Sequence, residues 1–373
     1  MTRDKSINCK HVMSAVVVNE SSQARVRVYQ TTELPNVTVA IPCLNEEKSI
    51  RQCVKSLCAS DYPGDQLEFI ILDGMSTDGT RAILRALAAE DSRVKLVDNI
   101  GQGKPEAFNL ALQHCKTPVI LFAGAHAIYD KHYIRRLVQG MMDTGADNIG
   151  GVLTADSGST PREWAISWAT SSKVGAGNVP WRTGATELRQ VESVFGGCFP
   201  VSVFGWAGNF NEQLQRCQDR EFNFRLRRLG GKVYLHPGAE VRYLPRTRVL
   251  DHLRWTWSGS FWLFSSRRFT RTPMIKWRNC LPVALVLQHG LSVLLLLIRR
   301  RRGTAALAPI AMYWSFIAAA AISEGIRRKS VRFVPWGVLV VGSTHLTYGV
   351  AAVAGSMRAL IPATRRSVLK RSQ

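Results

Sequence analysis

The sequence predicts an α/β fold with a parallel sheet in its first two thirds, followed by transmembrane helices at the C-terminus. The first prediction depends on short apolar, β-branched runs that alternate with amphipathic stretches from residue 36 onward, because such alternation produces a parallel sheet with right-handed crossovers. The second depends on three segments of 18 to 24 residues near the C-terminus that contain no acidic, lysine or arginine side chain.

Four strands are expected, since each corresponding run is short and apolar, as is typical of a buried strand. They comprise residues 36–44, 67–73, 93–98 and 118–123, with helices between them at 47–60, 76–90 and 104–115. In the first helix Ile50, Val54 and Leu57 recur at helical spacing, which predicts one buried face. The second helix opens on Ser, Thr and Asp, which are available as caps.

The three apolar segments comprise residues 281–298, 304–323 and 334–357. Helices of 18 to 24 residues span roughly 27–36 Å, close to the hydrocarbon thickness of a bilayer. Arginine-rich blocks flank them, as expected at the level of lipid headgroups. A buried helical domain is the alternative, because polar residues interrupt the runs, and the first two segments could also form a re-entrant pair. Arginines in both inter-helix loops leave the orientation undetermined.

The 373-residue chain carries a formal net charge of +22, which predicts an anionic partner. Much of this charge lies around the apolar segments, and zinc-finger spacing and aromatic-rich RNA motifs are absent from the sequence, so a membrane is favoured over nucleic acid. The eight cysteines are scattered, which favours reduced cytosolic thiols. No secretory signal is evident at the N-terminus.

Polar residues follow each predicted strand, and in open parallel sheets ligands bind beyond the carboxyl ends of the strands. The rim of one site is therefore expected at residues 42–46, Asp73, residues 98–104 and residues 124–126. The glycines that precede Lys104 suit an anionic phosphate, although neither P-loop nor dinucleotide-binding spacing is present. Each element taken alone has a structural alternative, such as a turn cap for Asp73 or a structural histidine at 126.

Three motifs occur in order along this rim: VTVAIPCLNEEKSI, FIILDGMSTDGT and GKPEAFNLAL. They resemble the nucleotide-sugar half of the inverting family 2 glycosyltransferases, whose usual pattern is close to P-x-x-N-E, V-D-x-x-S-T-D-G-T and G-x-x-x-A-x-N. The following segments are similar to the membrane-associated branch that builds bacterial exopolysaccharides of the succinoglycan type. The resemblance spans residues 36–264 and implies a glycosyltransferase-A type nucleotide-binding sheet.

The resemblance implies how the donor would be held. Pro42 and Glu46 would line the nucleoside pocket, and Asp73 would hydrogen-bond the base. Lys104 would lie near the nucleotide phosphates. The predicted partner at this rim is therefore a nucleotide-sugar donor.

Asp219 is the predicted catalytic base. It lies in QDRE, which matches the family's E-D-x-E/D motif, with Gln218 in place of the usual glutamate and Glu221 retained. The chemistry agrees, because an inverting transfer needs one carboxylate to take the proton of the acceptor hydroxyl. The alternative for Asp219 is the N-cap of the following helix, and both roles could hold together.

The segment DHLRWTW, residues 251–257, resembles the Q-x-x-R-W motif of processive family members, with Asp251 where glutamine is expected. Arg254 and Trp255 could guide the acceptor sugar, since an indole face stacks well on a pyranose. The favoured interpretation is an interfacial amphipathic helix that leads to the membrane, and the two roles are compatible. The missing glutamine weakens any prediction of processivity.

The metal motif departs from the family. Most members have Asp-x-Asp after the fourth strand, and the exopolysaccharide branch commonly has Asp-Ala-His, whereas this chain has Gly124-Ala125-His126. His126 is the predicted metal ligand, for Mn²⁺ or Mg²⁺, and histidine suits manganese better. Two alternatives are neutralisation of the leaving group by protonated His126 and Lys104 without a metal, and an inactive family member.

These features predict a multi-pass protein of the cell membrane with a cytoplasmic catalytic domain. Its domains would be an N-terminal extension at 1–35, a glycosyltransferase domain at 36–265, and a linker with three membrane helices and a basic tail at 266–373. We expect it to move a sugar from a nucleotide sugar to a lipid-linked or polysaccharide acceptor in exopolysaccharide or cell-surface glycan synthesis. The alternative is a catalytically impaired membrane protein that acts as a non-enzymatic partner in a polysaccharide assembly.

Overall fold

The structure, a computed structural model, describes residues 33–244, 246–299 and 305–361. Almost all of the predicted N-terminal extension lies outside the described residues, as do the arginines at 365–366 and most of the arginine block at 299–302. The domain boundaries predicted at residues 36 and 266 stay predictions.

The strands in the described residues are β1 Val37–Cys43, β2 Leu67–Asp73, β3 Val94–Asp98, β4 Val119–Phe122, β5 Ala127–Tyr129, β6 Asn148–Ala155, β7 Arg189–Gln190, β8 Gly197–Pro200 and β9 Val233–Tyr243. The α-helices are α1 Ile50–Cys58, α2 Thr80–Glu90, α3 Lys104–His114, α4 Tyr133–Thr144, α5 Pro161–Ser171, α6 Lys173–Ala176, α7 Pro180–Thr183, α8 Val203–Ala207, α9 Gln218–Arg228, α10 Val249–Ser265, α11 Trp277–Arg299, α12 Ala308–Arg327 and α13 Phe333–Leu360.

Both ends of each of the four predicted strands are confirmed to within one residue. The helix expected at 76–90, however, begins only at Thr80. The residues before it bond to the neighbouring loops instead of to a helix. The backbone N–H of Ser76 donates to the Asp73 carboxylate at 3.2 Å, and that of Thr77 donates to the Asn45 side chain at 2.9 Å. The N-cap position is Gly79, which none of the three predicted cap residues occupies, although Asp78 accepts from the N–H of Thr80 at 3.0 Å.

The sheet has the strand order β3-β2-β1-β4-β8-β6-β9-β5, with β7 paired to β9. Its first four strands are parallel, as predicted. Beyond β4 the sheet is mixed, because β8 runs antiparallel to both β4 and β6. This half of the sheet brings the segments around residues 182, 216 and 246 toward the carboxyl ends of the parallel strands.

Helices cover both faces of the sheet, so its strands are buried on both sides, as expected for parallel strands. On one face α1, α2 and α4 pack against alternate residues of β1 and β2, and the predicted stripe of Ile50, Val54 and Leu57 is buried there. On the other face α3, α8 and α9 enclose aromatic side chains around Phe122 and Phe222. The active-site rim therefore stands on a continuous packed core.

Among the described residues, three helices are long and apolar enough to cross a membrane: Trp277–Ile298, Ala305–Arg327 and Phe333–Leu360. Few residues of the first two helices are buried by the protein, whereas nearly half of those in the third are. Apolar surface of this extent needs a lipid or protein cover, which argues against the buried helical domain. The third helix, α13, packs along α10, where Ser260 Oγ donates to the Tyr348 carbonyl at 2.8 Å.

Candidate active site

Asp73 ends β2 at the centre of the predicted rim. Its neighbours in register are Cys43 of β1 and Asp98 of β3. The carboxylate is fully buried, accepts from Ser76 Oγ at 2.6 Å and from Arg81 Nη1 at 3.2 Å, and so keeps one orientation. Pro42, one residue before Cys43, lies beside Leu72 in the same edge of the sheet.

The first two rim loops are tied to each other through Asn45, the asparagine of the first motif. Its backbone has φ 55° and its N–H donates to Ser76 Oγ at 2.9 Å, while its side chain accepts from Thr77. A non-glycine residue in the left-handed region costs free energy and persists where surrounding contacts hold it. The loops that would surround the nucleoside are thus held in one arrangement.

Glu46 and His126 contact each other, although 80 residues separate them in the chain. Glu46 Oε1 lies 2.9 Å from His126 Nδ1, and Glu46 Oε2 accepts from Ser49 Oγ at 2.7 Å. Partial burial raises the pKa of the Glu46 carboxyl, but the hydrogen bond and charge of His126, together with Ser49 and Arg246, outweigh burial and hold this pKa below its usual value. Glu46 therefore acts on the predicted metal ligand itself.

Gly124 has an aromatic ring in the space where a side chain would be. A Cβ at this position would lie 3.1 Å from Cζ of Phe195, and the Gly124 backbone is held on both sides by the Tyr129 hydroxyl. An aspartate here would require Phe195 to move. The residue that crowds this position lies 71 positions away in the chain, and the sequence motifs do not reveal it.

Lys104 begins α3, and its ammonium lies over two rings, 5.3 Å from the centre of Phe108 and 5.6 Å from that of Phe195. Burial lowers the pKa of this ammonium below its ordinary value, although the charge of Asp219 opposes the shift and that of Arg216 adds to it. Lys104 and Asp219, predicted from separate motifs, are therefore brought near each other.

Asp219 lies in the first turn of α9 and is half-buried. The N-cap position is occupied by Cys217, whose backbone has φ 64°, so the interpretation of Asp219 as the helix N-cap is wrong. Within the described residues its Oδ1 accepts the N–H of its neighbour Arg220, at 2.8 Å. The charge of Asp219 acts on Lys104, Arg182 and Arg216.

Two side chains from the motifs hold α9 in place. Asn109 of the third motif donates to the Phe210 carbonyl at 2.9 Å and accepts from its N–H, which joins α3 to the loop ahead of α9. Glu221 is buried and accepts from Thr270 Oγ1 at 3.1 Å, Thr272 Oγ1 at 2.8 Å and Arg225 Nε at 3.2 Å. The retained glutamate of QDRE thus ties the base-bearing helix to the segment before α11.

We expect Glu221→Ala to lower the free energy of unfolding by about 3–5 kcal/mol, because it leaves Arg225 and two threonines without their buried acceptor. Thermal unfolding of the purified full-length protein measures this. Glu90→Ala, which removes exposed pairs with Arg51 and Lys55, is the control and should cost less than about 1 kcal/mol. Equal effects of the two substitutions would contradict the assigned role of Glu221.

Three arginines that the motifs do not predict converge on this site. Arg182 stacks between Trp181 and Trp255, 4.5 Å and 5.1 Å from their ring centres. Arg246 lies 5.4 Å from the Trp255 ring and donates to the Tyr243 hydroxyl at 2.9 Å, and the Tyr243 ring packs edge-on against His126 at 5.2 Å. Burial lowers the pKa of Arg182 to about 10, yet it stays a cation at neutral pH.

Arg216 is the third of these arginines. Burial lowers the pKa of its guanidinium, and Arg246 lowers it further, whereas Tyr243 and Asp219 raise it. Its charge therefore interacts with both Asp219 and Arg246. The sequence offers only weak signals for these three arginines. Arg216 lies three residues before Asp219, Arg182 follows a tryptophan, and Arg246 follows the end of β9.

Arg254 and Trp255, predicted together, face different surroundings. Trp255 packs against Arg182 and Arg246, whereas the Arg254 side chain is 71% exposed and pairs with Asp251 at 3.4 Å. The predicted interfacial helix α10 is largely packed along α13, with His252 Nε2 2.9 Å from Thr344 Oγ1. Trp255 thus belongs to the wall of the site, and Arg254 does not.

The assembled site joins the carboxyl edge of the parallel strands to the Asp219 carboxylate, to the cations Lys104, Arg182, Arg216 and Arg246, and to the indole face of Trp255. Residues 38–207 match the Glycosyl transferase family 2 model. The chain carries a family 2 glycosyltransferase domain. Among its relatives, the succinoglycan biosynthesis protein ExoA of Rhizobium meliloti is 31% identical over 59% of this chain and 66% of that protein, just under two thirds of its length.

A second relative of the glycosyltransferase domain, from Methanococcus voltae, is 25% identical over 59% of this chain and 70% of that protein. It is a dolichyl N-acetyl-alpha-D-glucosaminyl phosphate 3-beta-D-2,3-diacetamido-2,3-dideoxy-beta-D-glucuronosyltransferase. Among solved structures, a mannosyltransferase from Pyrobaculum calidifontis in complex with GDP-Man and Mn²⁺ has a TM-score of 0.55 and 20% identity, covering 88% of this chain and 89% of that one. The fold is therefore the predicted glycosyltransferase-A type with apolar C-terminal helices.

The residues of the domain fit a protein-held metal ion poorly. Within the described residues, three or more His, Cys, Asp or Glu side chains nowhere form a group able to hold one. His126 Nδ1 is turned to Glu46, which leaves Nε2 as the single nitrogen available to a metal. At the position of the usual aspartate, a Cβ on Gly124 would contact the Phe195 ring at 3.1 Å. His126 as a metal ligand stays a prediction, and the cations that surround the site offer a second source of positive charge.

Proposed function

We propose that this protein is a membrane-bound inverting glycosyltransferase that moves a sugar from a nucleotide-sugar donor to a lipid-linked or polysaccharide acceptor in exopolysaccharide or cell-surface glycan synthesis. The main support for the proposal is that the half-buried Asp219 carboxylate interacts electrostatically with Lys104, Arg182 and Arg216. The relatives support the acceptor class, since one belongs to succinoglycan biosynthesis and the other is named for a dolichyl-phosphate-linked sugar.

In this proposal Asp219 is the general base. Its carboxylate takes the proton of an acceptor hydroxyl, whose oxygen attacks the anomeric carbon of the donor, and the bond from that carbon to the diphosphate oxygen breaks. Negative charge grows on the departing diphosphate, so cations that are already in place lower the barrier. Lys104 at the start of α3, together with Arg216 and Arg246 from two loops, would supply this charge.

The donor and acceptor ends of the site follow from the same geometry. Pro42, Glu46 and Asp73 would hold the nucleoside at the carboxyl edge of β1 and β2. Trp255 offers an indole face for the acceptor sugar. The three apolar helices would keep the acceptor side next to the bilayer, with the catalytic domain in the cytoplasm, where nucleotide sugars are made.

Turnover of UDP- and GDP-sugars by membranes that contain the full-length protein tests the proposal, with release of nucleoside diphosphate as the readout. Transfer of labelled sugar into the lipid or polysaccharide fraction supports it. Nucleotide binding without turnover of any donor would instead support the non-enzymatic partner of a polysaccharide assembly.

Metal removal should reduce turnover by less than about tenfold, because arginine and lysine already supply charge to the diphosphate. Turnover is measured in excess EDTA and, as the control, in EDTA that has first been saturated with Mn²⁺. Calorimetry then compares the affinity for UDP or GDP with and without Mn²⁺. A loss above about 100-fold that Mn²⁺ reverses, together with Mn²⁺-dependent nucleotide affinity, would assign a metal to His126 and contradict the arginine assignment.

A further inference from the structure

A cavity of about 380 Å³ lies between the catalytic domain and the apolar C-terminal helices. One wall is the segment at residues 173–179, and the others come from α11, α12 and α13. Its volume is within the roughly 300–1,000 Å³ of ligand pockets. It is separate from the nucleotide rim, because none of the rim residues lines it.

Polar residues at one end of the cavity are held in place by hydrogen bonds. His345 Nε2 lies 2.9 Å from the Val174 carbonyl and its Nδ1 lies 3.0 Å from the Tyr313 hydroxyl, which joins α12 and α13 to the catalytic domain. Asn279 Nδ2 donates to the Tyr348 hydroxyl at 3.1 Å, which joins α11 to α13. Its walls are therefore fixed by hydrogen bonds between different elements.

Positive charge is in excess at this polar end. Lys173 is exposed at the cavity and has no ion-pair partner in the described part of the chain. Arg278 pairs with Glu192 at 2.6 Å, but Lys276 pairs with the same carboxylate at 3.2 Å, so two cations share one anion. An anionic group such as a phosphate complements this arrangement.

The opposite end of the cavity is apolar. Leu281, Pro282 and Leu285 of α11 line it, and Leu281 also leaves more than half of its surface exposed on a helix able to cross a membrane. A ligand here meets cations at one end and lipid-like surface at the other. Free phosphate would contact only the cations, whereas a lipid phosphate would contact both the cations and the apolar surface.

The polar end is also connected to the predicted base. Asn279 Oδ1 accepts from Arg220 Nη2 at 3.0 Å, and Arg220 is the residue next to Asp219. Helix α9 therefore contacts Asn279, a residue of the cavity wall that follows Arg278. A sugar attached to a phosphate in the cavity would extend toward α9.

We propose that this cavity binds the phosphate-proximal part of a membrane lipid that carries the acceptor sugar, with the phosphate between Lys173 and Arg278 and the chain along Leu281 and Leu285. The proposal rests on the proposed glycosyltransferase function and specifies where its lipid-linked acceptor docks. The proposed ligand is a lipid phosphate, and the test below distinguishes it from free phosphate.

The test uses the full-length protein in nanodiscs and farnesyl phosphate bearing a diazirine in its chain. We expect crosslinks to map to residues 173–179 and to α11, and to be displaced by unlabelled farnesyl phosphate but not by farnesol or inorganic phosphate. Lys173→Glu and Leu285→Trp should weaken the crosslinking half-saturation about tenfold. Displacement by inorganic phosphate alone would show a simple anion site and overturn the proposal, as would crosslinks confined to other helices.

The controls are Lys131→Glu, on an exposed part of the catalytic domain, and Leu291→Trp, on the exposed side of α11; both should crosslink like the unmodified protein. Transfer of labelled sugar to the lipid acceptor should fall in Lys173→Glu and Leu285→Trp and stay unchanged in the two control variants. If the unmodified protein turns over no donor, the proposed function fails. If it turns over donor and all four variants bind the probe equally, only the cavity proposal fails.

Discussion

Replacing Asp219 with asparagine is expected to lower glycosyl transfer by about 10²–10⁴-fold, the contribution typical of a positioned general base. Asparagine keeps the size of the side chain and its contact with the N–H of Arg220, but it cannot accept the proton of the acceptor hydroxyl. Donor binding should change little, because the cations of the site remain in place when this one negative charge is removed. Turnover and nucleotide affinity, measured on the same preparation, separate these two effects.

Asp143→Asn is the matched control for this substitution. Asp143 is an exposed residue of α4, on the face of the sheet opposite α9, and its replacement should leave turnover within about twofold, as is usual at exposed positions. Thermal unfolding of both variants verifies that the fold is retained. Unchanged transfer by Asp219→Asn would refute the assignment of the base, whatever the donor.

Replacing Arg246 with glutamine is expected to lower transfer by about 10²–10³-fold, the loss typical of removing one preorganised donor to developing negative charge. The guanidinium is held by the Tyr243 hydroxyl and by the Trp255 ring, and its charge reaches Glu46 beside His126. It therefore lies on the side of the site where the family's metal motif ends. The loss should appear in UDP or GDP affinity and be absent from the affinity for uridine or guanosine.

Arg85→Gln, on the exposed face of α2, is the control for Arg246→Gln and should leave diphosphate affinity unchanged. Arg246→Lys serves as a second probe, because lysine keeps the charge but loses the planar donor geometry. Partial recovery by lysine supports charge neutralisation at the diphosphate. An equal loss of nucleoside and diphosphate affinity in Arg246→Gln would point to a collapsed site and contradict the assignment.

The parallel half of the sheet was predictable because its signals are local. Apolar β-branched runs and amphipathic helices alternate along the chain, and the carboxyl ends of parallel strands meet at one edge by topology. Asp73 and Lys104 could therefore be placed at one rim from the sequence. The start of α2 was predicted four residues early, since Ser76 and Thr77 bond to a loop that precedes them by some 30 residues.

The four parallel strands, the rim at their carboxyl ends, the motif that contains Asp219 and the three apolar helices were determined by the sequence alone, because each depends on residue type at short spacing. The mixed half of the sheet, the crowding of the Gly124 position by Phe195, and the convergence of Arg182, Arg216 and Arg246 were decided only by tertiary structure. These contacts join loops that are 30 to more than 70 residues apart, and no local pattern encodes such pairing. The missing aspartate was visible in the sequence, but the ring and the cations around its place depend on how β8 and β9 pair.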